Sequence, residues 1–179
     1  MSPVARHRLV GLAFAGAIFA VDQFVKQLMT GPLQLHTRGV IELLPFFDLR
    51  WTENHGVSLG LFSARSMEMR WGLVAMTGLI ATGVLVWLLR ERNRWDIIAL
   101  AAVLGGALGN IKDRYQLGFV IDYADLHFGE FRPFLIFNIA DAAITLGVVL
   151  LLALSLLLRD KPAPSAPPGP AGEAPAPES

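Results

Sequence analysis

FLIFNIADAAITLGVVLLLALSLLL, residues 134–158, holds a single charged side chain, Asp141. A helix needs about 20 consecutive apolar residues to cross the hydrocarbon core of a bilayer, and this run is long enough. It reads as a membrane span with a carboxylate near its start. An acid costs roughly 2.5–3.5 kcal/mol at the centre of such a span, and less near an interface. Either Asp141 caps the helix and is wetted by headgroups, or it has a function that offsets the cost.

Three more segments have the same apolar character, and together they predict spans at about 9–29, 71–89, 95–113 and 138–158. The fold class expected is an all-α membrane protein, one four-span domain over residues 1–159. Of the 179 residues 54% are apolar, and the formal net charge is zero. That balance gives no reason to expect a nucleic-acid partner. The absence of cysteine excludes disulfides, thiolate metal sites and a cysteine nucleophile. Arg6 and Arg8 before the first apolar run resemble the start of a secretory signal. No small-residue cleavage site follows, and three more spans do, so the segment reads as a retained helix. Residues 160–179, with seven prolines and no large apolar side chain, are expected to form a disordered cytoplasmic tail.

Orientation follows from the lysine and arginine bias of the loops. Arg6 and Arg8, then Arg90, Arg92 and Arg94, then Arg159 and Lys161 share one side of the four-span arrangement. That side is expected to be cytoplasmic and to hold both termini. Arg38, Arg50, Arg65, Arg70 and Arg132 are spread over the longer loops opposite.

In this topology the unusual polar residues gather at one level. Asp22 and Lys26 sit near the outer end of the first span, on one face and in the favourable acid-then-base order. Asn110, Asp113 and Arg114 end the third span, and Asn138 and Asp141 begin the fourth, with Asp122 and Asp125 between. Carboxylates and amides from several segments thus converge at the outer boundary. The small residues Gly105, Gly106, Ala107 and Gly109 suit close helix packing. The outer loop, residues 30–69, is long for a connection, and FDLRWTEN (47–54) alternates as a half-buried strand does. GVIELLP (39–45) is a candidate partner strand. A small extracytoplasmic sheet is therefore expected, either a packed hairpin or one whose free edge takes up an extended peptide.

Few chemistries survive this inventory. There is no G-x-S-x-G, no H-E-x-x-H and no phosphate-binding glycine loop; His7, His36, His55 and His127 lack metal-ligand spacing. The carboxylates remain. Two acids sharing a proton hydrolyse an amide when the ionised one activates water and the protonated one polarises the carbonyl. Asp141 and one acid of the preceding loop suit that role, and composition does not separate Asp122 from Asp125. The class set against this is a small non-enzymatic transporter or channel, which predicts polar groups near mid-span rather than at one face.

Four blocks carry a family resemblance: DQFVK (22–26), ENHGVSLGLF (53–62), GGALGNIKDRYQLGFVIDY (105–123) and FNIADAAIT (137–145). With them the chain resembles the bacterial lipoprotein signal peptidases, the type II signal peptidases, over about residues 9–158. The resemblance implies an aspartic endopeptidase with Asp122 and Asp141 as its catalytic pair. Asn54, Gly56, Asn110, Arg114 and Asn138 match residues that bind substrate or position the site, and Asp22, Lys26 and Asp113 match structural polar residues. It implies a diacylglyceryl-modified prolipoprotein substrate, cut just before the lipid-bearing cysteine, in the bacterial inner membrane. It implies no metal or cofactor, and a monomer is expected. Leu59 departs from the pattern, where the family usually has Phe.

Overall fold

The computed structural model describes residues 2–56 and 67–158. Leu59 and the proline-rich segment 160–179 lie outside the described residues. Among the described residues, four helices are long and apolar enough to cross a membrane: α1 (Pro3–Thr30), α3 (Met67–Arg90), α4 (Arg94–Leu117) and α5 (Ile139–Leu158), with the short α2 (Leu35–Arg38) after the first. Each long helix overruns its hydropathy-based bounds or starts within a residue of them. Ser2 caps α1 by accepting from the Ala5 N–H, and Pro3 opens the helix, so it begins at the terminus rather than at Leu9. At the other end of α4, Gly118 takes a left-handed φ of 89° and its N–H bonds the Arg114 carbonyl, which carries the helix beyond Asp113.

α4 is the central helix, packed by α1, α3 and α5. Its glycines permit this. A Cβ on Gly105 would stand 2.5 Å from the Ala15 carbonyl oxygen of α1, and one on Gly106 would strike the Ala140 backbone of α5. The apolar core between α1, α3 and α4 is built on Ala15, Ala81, Leu88, Ile97, Leu100 and Leu104. Large apolar side chains on the outer faces, such as Leu79, Leu146 and Leu157, are exposed, as suits helices solvated by lipid.

The expected hairpin forms from β1 (Val40–Leu44) and β2 (Phe47–Asn54), antiparallel, with Val40 opposite Arg50. A third strand, β3 (Val120–Leu126), was not anticipated. It pairs antiparallel with β2, Thr52 opposite Asp122 and Asp48 opposite Asp125. The sheet order is β1-β2-β3. Leu49, Ile121, Tyr123 and Ala124 dock the sheet against Met29 at the end of α1 and Leu35 at the start of α2. Phe137 pairs with Ala124 on the far side of β3, so the free edge of the sheet is β1, two strands from Asp122.

Candidate active site

The site forms where α4 ends, β3 begins and α5 starts. Two polar clusters meet there, and they differ in how their charges are compensated. In the first, Lys26 of α1 lies 2.9 Å from Asp22 and 2.7 Å from Asp113 of α4, and its ammonium donates to Asn110 Oδ1 at 3.1 Å. All three charged residues are buried. Asp22 also accepts the Ala140 N–H at 3.1 Å, and Asp113 accepts the Ile121 N–H at 3.3 Å, so one buried group ties together α1, α4, α5 and β3. Gln23 adds a bond from Nε2 to Asp113 at 3.0 Å. The Asp22–Lys26 pairing expected from spacing is present, and Asp113 is its third member.

In the second cluster, no cation among the described residues is in contact with the acids. Asp122, buried on β3, accepts from Asn54 Nδ2 at 3.0 Å and from Asn138 Nδ2 at 2.7 Å. Asp141, in the first turn of α5, accepts from Asn110 Nδ2 at 2.8 Å and from the Asn138 N–H at 3.2 Å. Its own N–H donates to Asn138 Oδ1 at 2.9 Å, so Asn138 and Asp141 make a reciprocal cap for α5. Asn138 Nδ2 also lies 3.2 Å from both Asn110 Oδ1 and the Ile121 carbonyl. The two acids are thus joined through Asn138, with Asn110 behind it. Burial, and next the charge of Asp141, push the Asp122 carboxyl up to about 6, against the pull of its bonds from Asn54 and Asn138.

Asp125, which composition did not separate from Asp122, stands in a different environment. Arg50 reaches it at 2.8 Å and Arg132 at 3.2 Å. Burial raises its carboxyl, but these guanidinium bonds outweigh burial and hold it below the usual range. Asp48 is likewise 3.1 Å from His127. The partners Arg50 and Arg132, and Gln23, had no recognisable signal in the sequence beyond their loop or helix-end positions.

Arg114 lies in the field of Asp141, Asp122 and Asp113, yet among the described residues no carboxylate is within ion-pair distance of it. Its Nε is buried without a partner among them. It therefore faces the cluster without an ion pair to either acid among the described residues. Arg70 of α3 closes the same corner by bonding the Arg114 and Tyr115 carbonyls at the end of α4. Gly56 sits against Leu73 and the Arg114 guanidinium with φ at 80°, and its N–H bonds Asn54 Oδ1 at 2.9 Å. Beside Asp122 opens a cleft of about 620 Å³, rimmed by Asn54, Gly56, Arg132, Phe134 and Leu135.

The polar groups therefore gather at one end of the bundle, not at mid-span. A family profile described as signal peptidase (SPase) II matches residues 14–157. The chain is 54% identical over 151 residues to a lipoprotein signal peptidase of Sphingopyxis alaskensis, covering 84% of this chain and 87% of that one. It is 50% identical over 159 residues to one of Rhizorhabdus wittichii, covering 89% and 92%. A solved bacterial membrane enzyme superposes with a TM-score of 0.66 at 27% identity, covering 85% of this chain and 94% of that one. With a profile match over most of its length and relatives this similar, the chain belongs to the signal peptidase II family, and it is a multi-pass bacterial membrane peptidase.

Proposed function

We propose that Asp122 and Asp141 are the catalytic pair with which this peptidase removes the signal peptide from diacylglyceryl-modified prolipoproteins. One observation carries the assignment. Among the described residues, Asp22, Asp113 and Asp125 each contact a lysine or arginine, whereas Asp122 and Asp141 accept hydrogen bonds from amide groups alone. A carboxylate neutralised by a guanidinium or ammonium is a poor base, and two desolvated acids without such a partner share a proton.

The ionised member of the pair takes a proton from water as that water attacks the carbonyl carbon before the lipid-bearing cysteine. The protonated member donates a hydrogen bond to the developing oxyanion, and a proton then passes to the leaving amine. Asn138 and Asn110 fix the two carboxyls, and Asn54 holds Asp122 from the β2 side. Arg114, with no carboxylate in contact among the described residues, orients the substrate beside Gly56. The peptide enters along the cleft past Phe134 and Leu135, whose exposed apolar side chains suit a substrate anchored in the bilayer by its lipid. The arginine bias of the loops supports an orientation with both termini cytoplasmic and the aspartates at the outer face. All these groups come from one chain, so a monomer suffices.

Cleavage of a purified, diacylglyceryl-modified prolipoprotein in detergent tests the assignment. Asp122→Asn and Asp141→Asn, each verified as folded, are expected to lose at least about a thousandfold in rate. Asp125→Asn is expected to keep cutting, and so is the wild type treated with a chelator. Retained activity in either of the first two variants overturns the pair.

A further inference from the structure

A basic cavity opens at the end of the bundle remote from Asp122. About 490 Å³ in volume, it is lined by Pro3, Arg6, His7 and Val10 of α1 and by Arg94 and Ile98 of α4. Ile98 also lines an apolar groove of about 500 Å³ that runs between α1, α4 and α5 past Phe14, Ala17, Val21 and Leu146. On α1 the two linings form one stripe. Positions 3, 7, 10, 14, 17 and 21 recur at steps of three and four, the spacing of a single helix face. At ~1.5 Å per residue, Phe14 lies about 12 Å along the helix from Arg6, and Val21 about 22 Å. Cavity and groove are therefore one surface, cationic at the membrane boundary and apolar within the bilayer.

The charges in it are unspent. Arg6 and Arg94 are exposed, and among the described residues neither has an ion-pair partner; Arg94 only stacks over Trp95, 5.0 Å from the ring centroid. Arg8, by contrast, is engaged by the Arg90 and Glu91 carbonyls. Among the described residues, the acids at this end, Glu91 and Asp96, line a separate cleft with Trp87 and Leu151. His7 Nδ1 is buried without a hydrogen-bond partner among the described residues.

We propose that this surface binds an anionic glycerophospholipid, with the phosphate between Arg6 and Arg94 and an acyl chain along the groove. Charge complementarity selects the headgroup, because a basic pocket between helices at the membrane boundary favours an anionic lipid over a zwitterionic one. The groove matches the chain, since one leaflet of hydrocarbon is about 15 Å deep. The cationic end, where the phosphate sits, is remote from the aspartate pair and faces the side that the arginine bias makes cytoplasmic, while the far end of the groove reaches Ile139 and Ala142 of α5.

Native mass spectrometry of the full-length protein in detergent, given equimolar phosphatidylglycerol and phosphatidylcholine, tests this. Wild type is expected to retain phosphatidylglycerol in preference. The pair Arg6→Gln with Arg94→Gln is expected to lower that preference about twenty-five-fold, roughly fivefold for each charge. If the pair does not fold, Arg6→Gln alone, at an exposed side chain, decides by its fivefold share. Ala102→Leu, which fills the groove, is expected to lower retention of both lipids and leave the headgroup preference intact. Equal retention of both lipids by wild type overturns the proposal. So does an unchanged preference in the arginine variants, displacement of the lipid by millimolar glycerol phosphate, or a lipid-free dimer as the retained species.

Discussion

Asn138 and Asp141 hold each other: the Asp141 N–H donates to Asn138 Oδ1 at 2.9 Å, and the Asn138 N–H donates back to Asp141 Oδ2 at 3.2 Å. The capping and functional roles open for Asp141 on sequence are therefore compatible. The cap sets the carboxyl's orientation, and its other oxygen stays on Asn110. Asn138 additionally bonds Asp122, so cap and site share a residue. Asn138→Ser keeps an oxygen able to cap, while Asn138→Ala does not. Both variants are expected to lose most activity, because both lose the amide on Asp122. The alanine variant is expected to be less stable than the serine variant by about 1 kcal/mol, the usual worth of an N-cap. Thermal unfolding in detergent beside a cleavage assay separates the two effects.

Titration of Asp122 gives a signed expectation. Its carboxyl, at about 6 in the fold, lies above the 3.8 of the free side chain. The folded state thus binds the extra proton, and stability is lost as pH rises from about 4 to 6, then levels off. Asp122→Asn removes this dependence. The difference in unfolding temperature between variant and wild type is expected to shift in favour of the variant across that window and to stay constant above it. The full effect is at most about 3 kcal/mol, from a shift of roughly two units. A difference that is flat from pH 4 to 8 overturns the raised value.

Activity is expected to follow the same group. Loss of the shared proton leaves both acids ionised, so kcat/KM is expected to fall on the alkaline side with an apparent value that belongs to the pair. Asn54 donates to Asp122 and favours its ionised form. Asn54→Ala is therefore expected to move that limb to higher pH, which a pH–rate profile reads directly.

The buried triad makes a different kind of demand. Lys26 serves both Asp22 and Asp113, and all three are almost wholly shielded. Lys26→Met leaves two buried carboxylates without their cation, and a loss of about 3–5 kcal/mol is expected, enough to deplete the folded protein in the membrane. Adding Asp22→Asn and Asp113→Asn to it is expected to recover part of that loss, because no charge is then left stranded. Yield and unfolding temperature of the single and triple variants check this.

These contrasts mark where the sequence was readable. Hydropathy located four spans because an apolar helix in lipid needs only length, and alternation in 47–54 revealed β2 because Phe47, Leu49 and Trp51 all pack into the core beneath the sheet. β3 left no such trace: Val120–Ala124 is buried throughout, so VIDYADL has no alternation to read. Spacing showed Asp22 beside Lys26, a local pair, but Asp113 joins them through the packing of α4 on α1. Asp122 and Asp125 looked equivalent because what distinguishes them, Arg50 on a neighbouring strand and Arg132 beyond a turn, is set by tertiary structure.

Gly56 shows how far that tertiary control extends. Its φ of 80° suits glycine, and its N–H bonds Asn54 Oδ1, which leaves the Asn54 amide nitrogen aimed at Asp122. A methyl group at position 56 would meet the end of the Leu73 side chain at 2.9 Å and touch the Arg114 guanidinium at 3.7 Å. Gly56→Ala is therefore expected to cost about 1–2 kcal/mol in backbone strain and to turn Asn54 away from the acid. Activity is expected to fall more than stability, and in the same direction as in Asn54→Ala. If Gly56 acts through Asn54, the two substitutions are not additive: adding Gly56→Ala to Asn54→Ala changes kcat/KM little. Full additivity in that double-mutant cycle would mean that Gly56 serves the cleft beside Arg114 instead of the bond to Asp122.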